Sequence, residues 1–280
     1  MEIKATEVKK LRDKTGAGMM ECKKALQEAN GDFVQAEKIL KELGLAAAAK
    51  RAGRATNEGR IFTKLETGKA VCLELSCETD FVAKNADFIK LGDALADQIL
   101  SQNADAVTKE MEATVADTIG KIKENITLRR FKIMQAGANE FFSDYIHGEG
   151  KIGVIVKLSV GAPEARDNPA VRDLAFNLAL HIAAFAPLAL SEEKIDPAYI
   201  KDQEEIFRKQ AEQLGKPANV LEGIVKGKLK KHFAEICLLD QGFVKDEKIS
   251  VRKMVEEVGK QAGTPVTVTD FLYFRVGEEI

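Results

Sequence analysis

An α+β fold is predicted by three observations in this 280-residue chain. Apolar residues recur at helical spacing through the first 44 residues with no strand pattern among them. From Gly59 onward, period-two runs alternate with helical runs, and that mixed order is passed through twice. The length suits about two domains, because single hydrophobic cores stop growing at a few hundred residues.

Val8 and Leu11 mark a first helix, Thr15-Gly16-Ala17-Gly18 breaks it, and Met19, Cys22, Leu26 and Ala29 share one face of a second. Asn30-Gly31 turns the chain, and Asp32 caps a third helix carrying Phe33, Ala36, Ile39, Leu40 and Leu43, which Gly44 ends. Three helices this short make a marginal core, so the unit is expected to serve as a docking module. Leu45 to Gly59, with its alanines, Lys50, Arg51, Arg54 and two glycines, reads as a helical extension fading into a linker. Residues 1–54 are thus one unit with its linker.

Residues 55–140 form the first half of the core. Arg60 to Leu65 and Ala70 to Cys77 pair as a hairpin around Glu66-Thr67-Gly68-Lys69; a helix follows Asp80, another runs from about Thr108 to Glu124, and Ile126 to Met134 alternates again. The second half, 141–280, has strand patterns at Phe141 to Ile146 and Ile152 to Val160, an apolar helix Val171 to Phe185, a helix near Val251 to Gln261 and a strand Val266 to Val276. Within it, at about 191–234, Pro197 starts a charged helix, Leu214-Gly215-Lys216-Pro217 breaks it, and Val220, Ile224 and Val225 begin a return helix ending near Lys230-Lys231. Such an antiparallel hairpin should project as an arm.

The most informative segment is Glu78-Thr79-Asp80-Phe81-Val82-Ala83-Lys84-Asn85. Val71, Leu73, Leu75 and Cys77 before it alternate as in a half-buried strand, and Phe88, Leu91, Leu95 and Ile99 after it fall at helical spacing. Two readings of this junction stay open. Either Asp80 merely caps the helix and Phe81, seven residues before Phe88, is its first core residue, or the acid and ring stand exposed and act on another molecule.

Several chemistries are disfavoured. Gly148-Glu149-Gly150-Lys151-Ile152-Gly153 matches GxGxxG, but the β-branched alternation after it reads as strand where a dinucleotide fingerprint needs a helix, so a glycine hairpin is expected. No Gly-Lys pair precedes Ser or Thr, and there is no GxSxG or HExxH, so neither direct nucleotide binding nor enzymatic chemistry is expected. His181 reads as a satisfied core residue, His232 sits near a helix end where its charge suits the dipole, and His147 has no ligand at metal spacing. No metal and no cofactor is expected. Cys22, Cys72, Cys77 and Cys237 show no CxxC spacing and are read as reduced, buried thiols, with Cys72 and Cys77 on opposite strand faces.

Lys and Arg number 42 against 44 Asp and Glu, a formal charge of -2, which supplies no broad basic field for nucleic acid. An RNA-binding translation protein using Arg51, Arg54, Arg129, Arg130 and Lys132 is the competing class. The first residues lack a signal-peptide pattern, and no run nears the ~20 apolar residues that span a bilayer, so a soluble cytoplasmic protein without membrane attachment is expected.

The run Leu11-Arg12-Asp13-Lys14-Thr15-Gly16-Ala17-Gly18-Met19-Met20-Glu21-Cys22-Lys23-Lys24-Ala25-Leu26, followed by Glu78 to Asn85, resembles the translation elongation factor Ts family. The similarity continues through Lys121-Ile122-Lys123-Glu124-Asn125-Ile126 with Arg129-Arg130, Tyr145-Ile146-His147-Gly148, Gly215-Lys216-Pro217 and Gly227-Lys228-Leu229-Lys230-Lys231. The resemblance implies a guanine nucleotide exchange factor for the GTPase elongation factor Tu. It also implies a ubiquitin-associated-like N-terminal domain, a two-part core of antiparallel sheets with packed helices, and a coiled-coil hairpin. By the same implication Thr79, Asp80, Phe81 and Val82 dislodge the partner's Mg²⁺, Lys23 and Ile126 meet its nucleotide domain, and His147 faces another of its domains. Two departures stand out: Glu149 occupies a place where a third glycine is common, and no further partner-contacting helix follows Gly277-Glu278-Glu279-Ile280.

Overall fold

The computed structural model describes residues 3–213 and 218–279, so the expected Leu214-Gly215-Lys216-Pro217 turn lies outside the described residues. Helices α1 (Ala5–Thr15), α2 (Met19–Glu28) and α3 (Phe33–Arg51) enclose a small core of Leu11, Cys22, Ala25, Leu26 and Ala36. Gly16 closes α1 at φ 68, and the Asp32 side chain accepts the Gln35 N–H to start α3, as the sequence predicts.

The first half of the core is an antiparallel sheet in the order β1 (Glu58–Glu66), β2 (Lys69–Cys77) and β3 (Ile126–Gln135). Between β2 and β3 come α4 (Asp80–Ala83), α5 (Ala86–Gln102) and α6 (Lys109–Ile122). The second half repeats this topology: β4 (Glu140–His147), β5 (Ile152–Val160), helix α7 (Pro169–Phe185), and, after an insertion, α10 (Val251–Ala262) and β8 (Val266–Arg275), with sheet order β4-β5-β8. The insertion holds the helix pair α8 (Pro197–Glu212) and α9 (Ala218–Ile236), then a small ribbon of β6 (Gly242–Phe243) and β7 (Asp246–Ser250) that periodicity did not reveal.

The two sheets pack back to back. Ile61, Ala70, Cys72, Met134, Phe142, Ile155, Leu272 and Phe274 fill the layer between them, while α5 and α6 cover the outside of the first sheet and α7 and α10 the outside of the second. Approach is close enough that a methyl at Gly153 would lie 2.3 Å from Ile61 Cγ2.

This layering corrects the expectation that Val71 to Cys77 is half-buried. Strand β2 is central in its sheet and covered on both faces: Leu73 and Leu75 meet the helices, and Cys72 meets the other sheet. Burial on both faces forces its one buried charged residue, Glu74, to be paired; its carboxylate accepts from Arg130 Nε at 2.7 Å and from Gly277 N–H at 2.8 Å, with Arg129 at 3.8 Å. Cys72 and Cys77 do face opposite layers, and all four cysteines are free and buried. Burial pushes the Cys77 thiol up to about 12 and Cys237 up to about 11.

Two further expectations are corrected. Helix α3 does not stop at Gly44 but runs on to Arg51, because Gly44 lies buried where α3 crosses α6, opposite Gly120; a methyl at Gly120 would come 3.2 Å from Gly44 Cα. That glycine allows close approach and does not terminate the helix. The return helix of the arm likewise passes Lys231 to reach Ile236, so His232 lies within it, bonded at 3.0 Å to Tyr199 Oη of the opposing helix. Among the described residues no helix is long and apolar enough to cross a membrane.

Candidate functional site

The Glu78–Asn85 segment is a rigid corner with an exposed tip. Thr79 caps α4, its hydroxyl accepting the Val82 N–H at 3.4 Å, and Val82 and Ala83 plug into the core beneath. The chain then stops and restarts, with Asn85 Oδ1 accepting the Asp87 N–H at 2.8 Å to cap α5. One helix was expected after Asp80; two are present, because Asn85 supplies a second cap. This break takes Phe81 out of the core. With α4 ended at Ala83, the ring is not in phase with Phe88 and stands 82% exposed.

Asp80 is exposed beside it, 4.0 Å from Lys84 Nζ. Lys84 also reaches Glu149 Oε2 at 3.5 Å, tying the tip to the β4–β5 turn. In that turn Glu149 holds φ 54, a left-handed backbone more often given to glycine. The Gly148–Glu149–Gly150 stretch leads into strand β5, as read from the residues after it.

Beneath the tip three distant segments are knotted together. The Glu124 carboxylate accepts both the Thr79 N–H, at 3.1 Å, and the Thr79 hydroxyl, at 2.8 Å. Glu78 accepts the Asn125 N–H at 2.6 Å and meets Arg54 at 3.3 Å, while Asn125 Nδ2 donates to Arg54 O at 2.8 Å. Glu21, at the start of α2, pairs with Lys123, which holds its carboxyl below the usual carboxylate range and pins the three-helix unit to the same place. Sequence reading missed Glu78, Glu124 and Asn125 in this role, since the partners lie 45 and 47 residues apart.

The other expected site residues are dispersed. Lys23 is exposed on α2. His147 is exposed at the end of β4, its Nδ1 3.2 Å from Tyr145 Oη, and Tyr145 meets the exposed Phe176 edge-on. Ile126, expected to face a partner, is 3% exposed and packs in the same core cluster as Val82, so it supports the tip from below. His181 is buried and satisfied: Gln241 Oε1 lies 2.9 Å from Nε2 and the Val244 N–H donates to Nδ1 at 3.1 Å. The arginines of the RNA reading are largely spent on internal contacts. Arg51 donates to Lys123 O and Ala47 O, Arg54 meets Glu78, Arg129 and Arg130 serve Glu74, and Arg130 also covers the Phe274 ring.

An acid and an aromatic ring thus stand exposed side by side on a braced corner of a two-sheet α+β protein. Residues 78–278 match the family model described as elongation factor TS. The chain is 52% identical over 277 residues to elongation factor Ts of Treponema denticola, covering 99% of each protein. It is 48% identical over 278 residues to that of Borrelia hermsii, covering 99% of this chain and 100% of the relative. Against Borreliella burgdorferi strain B31 the identity is 45% over 276 residues, covering 98% and 99%. The chain belongs to the elongation factor Ts family.

Proposed function

We infer that this chain is a guanine nucleotide exchange factor for elongation factor Tu, acting in the elongation stage of protein synthesis. The observation that carries this reading is the exposed Phe81, next to Asp80, on a corner fixed by Thr79 and Val82. A GTPase holds GDP through phosphate contacts and through Mg²⁺, which bridges nucleotide and protein oxygens. In the proposed encounter Phe81 enters an apolar pocket of the GDP-bound partner, Asp80 competes for its polar groups, and Mg²⁺ and phosphate are loosened. Linkage does the rest: a factor that binds the nucleotide-free partner more tightly must weaken nucleotide affinity by the same ratio, and GTP can then enter. No bond of the nucleotide is made or broken by this chain, so the role is not enzymatic.

In the same reading α1 to α3 form a ubiquitin-associated-like docking domain, with Lys23 turned to the partner's nucleotide domain. The face around His147 meets another of its domains, and α8 with α9 form a coiled-coil arm. A cytoplasmic location fits this role. Release of a fluorescent GDP analogue from purified elongation factor Tu, with and without this protein, tests the proposal. Acceleration is expected; release at the spontaneous rate would overturn it.

A further inference from the structure

Helix α4 has only four residues, too few to hold its own conformation, because helix nucleation is unfavourable until propagation offsets it. The direction in which Asp80 and Phe81 point must therefore be set from outside the helix. From below, Val82 and Ala83 anchor it in the core. At its start the anchor is polar. Glu124 takes the Thr79 backbone N–H on one oxygen and the hydroxyl proton on the other, which leaves the hydroxyl lone pairs turned to the Val82 N–H. One carboxylate thus sets the cap's position and its rotor. Glu124 is itself fixed on either side: Lys123 holds a left-handed turn at φ 70, and Asn125 is buried and bound to Glu78 and Arg54.

We propose that Glu124 is a positioning residue for nucleotide exchange, holding the Thr79 corner so that Asp80 and Phe81 are presented in one geometry before the partner is met. The proposal rests on the reading that this tip acts on the GTPase. Holding the tip in its working orientation acts on the rate of the step it performs, while most of the affinity is supplied by the remaining docking surfaces.

The test is GDP release from elongation factor Tu titrated with wild-type protein, Glu124→Ala, Glu124→Gln, Phe81→Ala and the Phe81→Ala/Glu124→Ala double variant. Glu124→Ala should lower the maximal release rate about tenfold. Its half-saturating concentration should stay within about threefold of wild type. Glu124→Gln, which keeps one acceptor oxygen, should recover part of the loss, and the double variant should lose less than the product of the two single losses, since Glu124 acts only through the tip and only the Asp80 share is left to it once Phe81 is gone. Thr79→Val, which removes the hydroxyl at similar volume, should reproduce the defect at temperatures where its melting curve shows the variant fully folded. A wild-type maximal rate for Glu124→Ala, or a double variant showing the full product of both losses, would overturn the proposal while leaving the tip reading intact. A wild-type rate for Phe81→Ala would remove the tip reading itself, and this proposal with it.

Discussion

Replacing Phe81 by alanine separates the two things a phenylalanine at this position can do. In the free protein the ring is 82% exposed, so removing it takes away little buried surface, and stability should change by no more than about 0.5 kcal/mol. In the proposed complex the same ring leaves water. Burying a phenylalanine side chain yields on the order of 2 kcal/mol. If that contact forms in the state that releases GDP, its loss slows exchange by about 30-fold at ~1.4 kcal/mol per factor of ten. Stopped-flow release of a fluorescent GDP analogue gives the rate, and a thermal melt of the same preparation gives the stability. A variant that melts many degrees earlier while exchanging normally per folded molecule would refute the reasoning, because the ring would then be part of the core.

Asp80→Ala should slow exchange by less than about tenfold, since Asp80 is exposed and its pairing with Lys84 at 4.0 Å is weak; wild-type rates would remove Asp80 from the mechanism. Glu74→Ala should destabilise the protein by about 3 kcal/mol, because Arg129, Arg130 and the Gly277 N–H lose their shared acceptor between the sheets; an unchanged denaturant midpoint would contradict that. The third expectation concerns pH. Burial lowers the His181 pKa below 6.5, so above that value both folded and unfolded chains carry it neutral, and as pH falls the unfolded chain takes up the proton first. Stability should therefore decline from about pH 6.5 downward until the folded pKa is reached, and in His181→Gln this part of the decline should be missing from denaturation curves between pH 7 and 5.

The strands from 58 to 160 and helix α6 were readable because their caps and turns are local: the Thr67-Gly68 hairpin turn, Thr108 ahead of α6, the strand that follows Gly150. What alternation cannot show is a bulge. Leu128 and Met134 have the same parity, which on a regular strand would place them on one face. Instead a bulge at Arg129 sends Leu128 to the helices and Met134 to the layer between sheets. Strand β8 does the same between Val268 and Leu272. At the site, the spacing of Phe81 to Phe88 suited a core helix, and Asn85, a good capping residue in plain view, was the signal that this helix begins later. The Glu124 clamp had no local signature at all. It comes from the meeting of two turns far apart in sequence.

In the proposed complex, the crossing of α3 and α6 at Gly44 and Gly120 bears on how the protein leaves its partner as well as how it meets it. Had residues after Gly44 formed a flexible tether, the three-helix unit and the tip would bind as beads on a string, each able to detach and rebind alone. Because α3 continues as one rod laid along α6, and Glu21 is fastened to Lys123, the spacing between them is fixed like the two pins of a plug. A rigid spacer of matching length gives the second contact a high local concentration once the first has formed, and excludes partners whose sockets are spaced differently. Selectivity for one GTPase would then reside as much in a helix length as in any side chain at the surface.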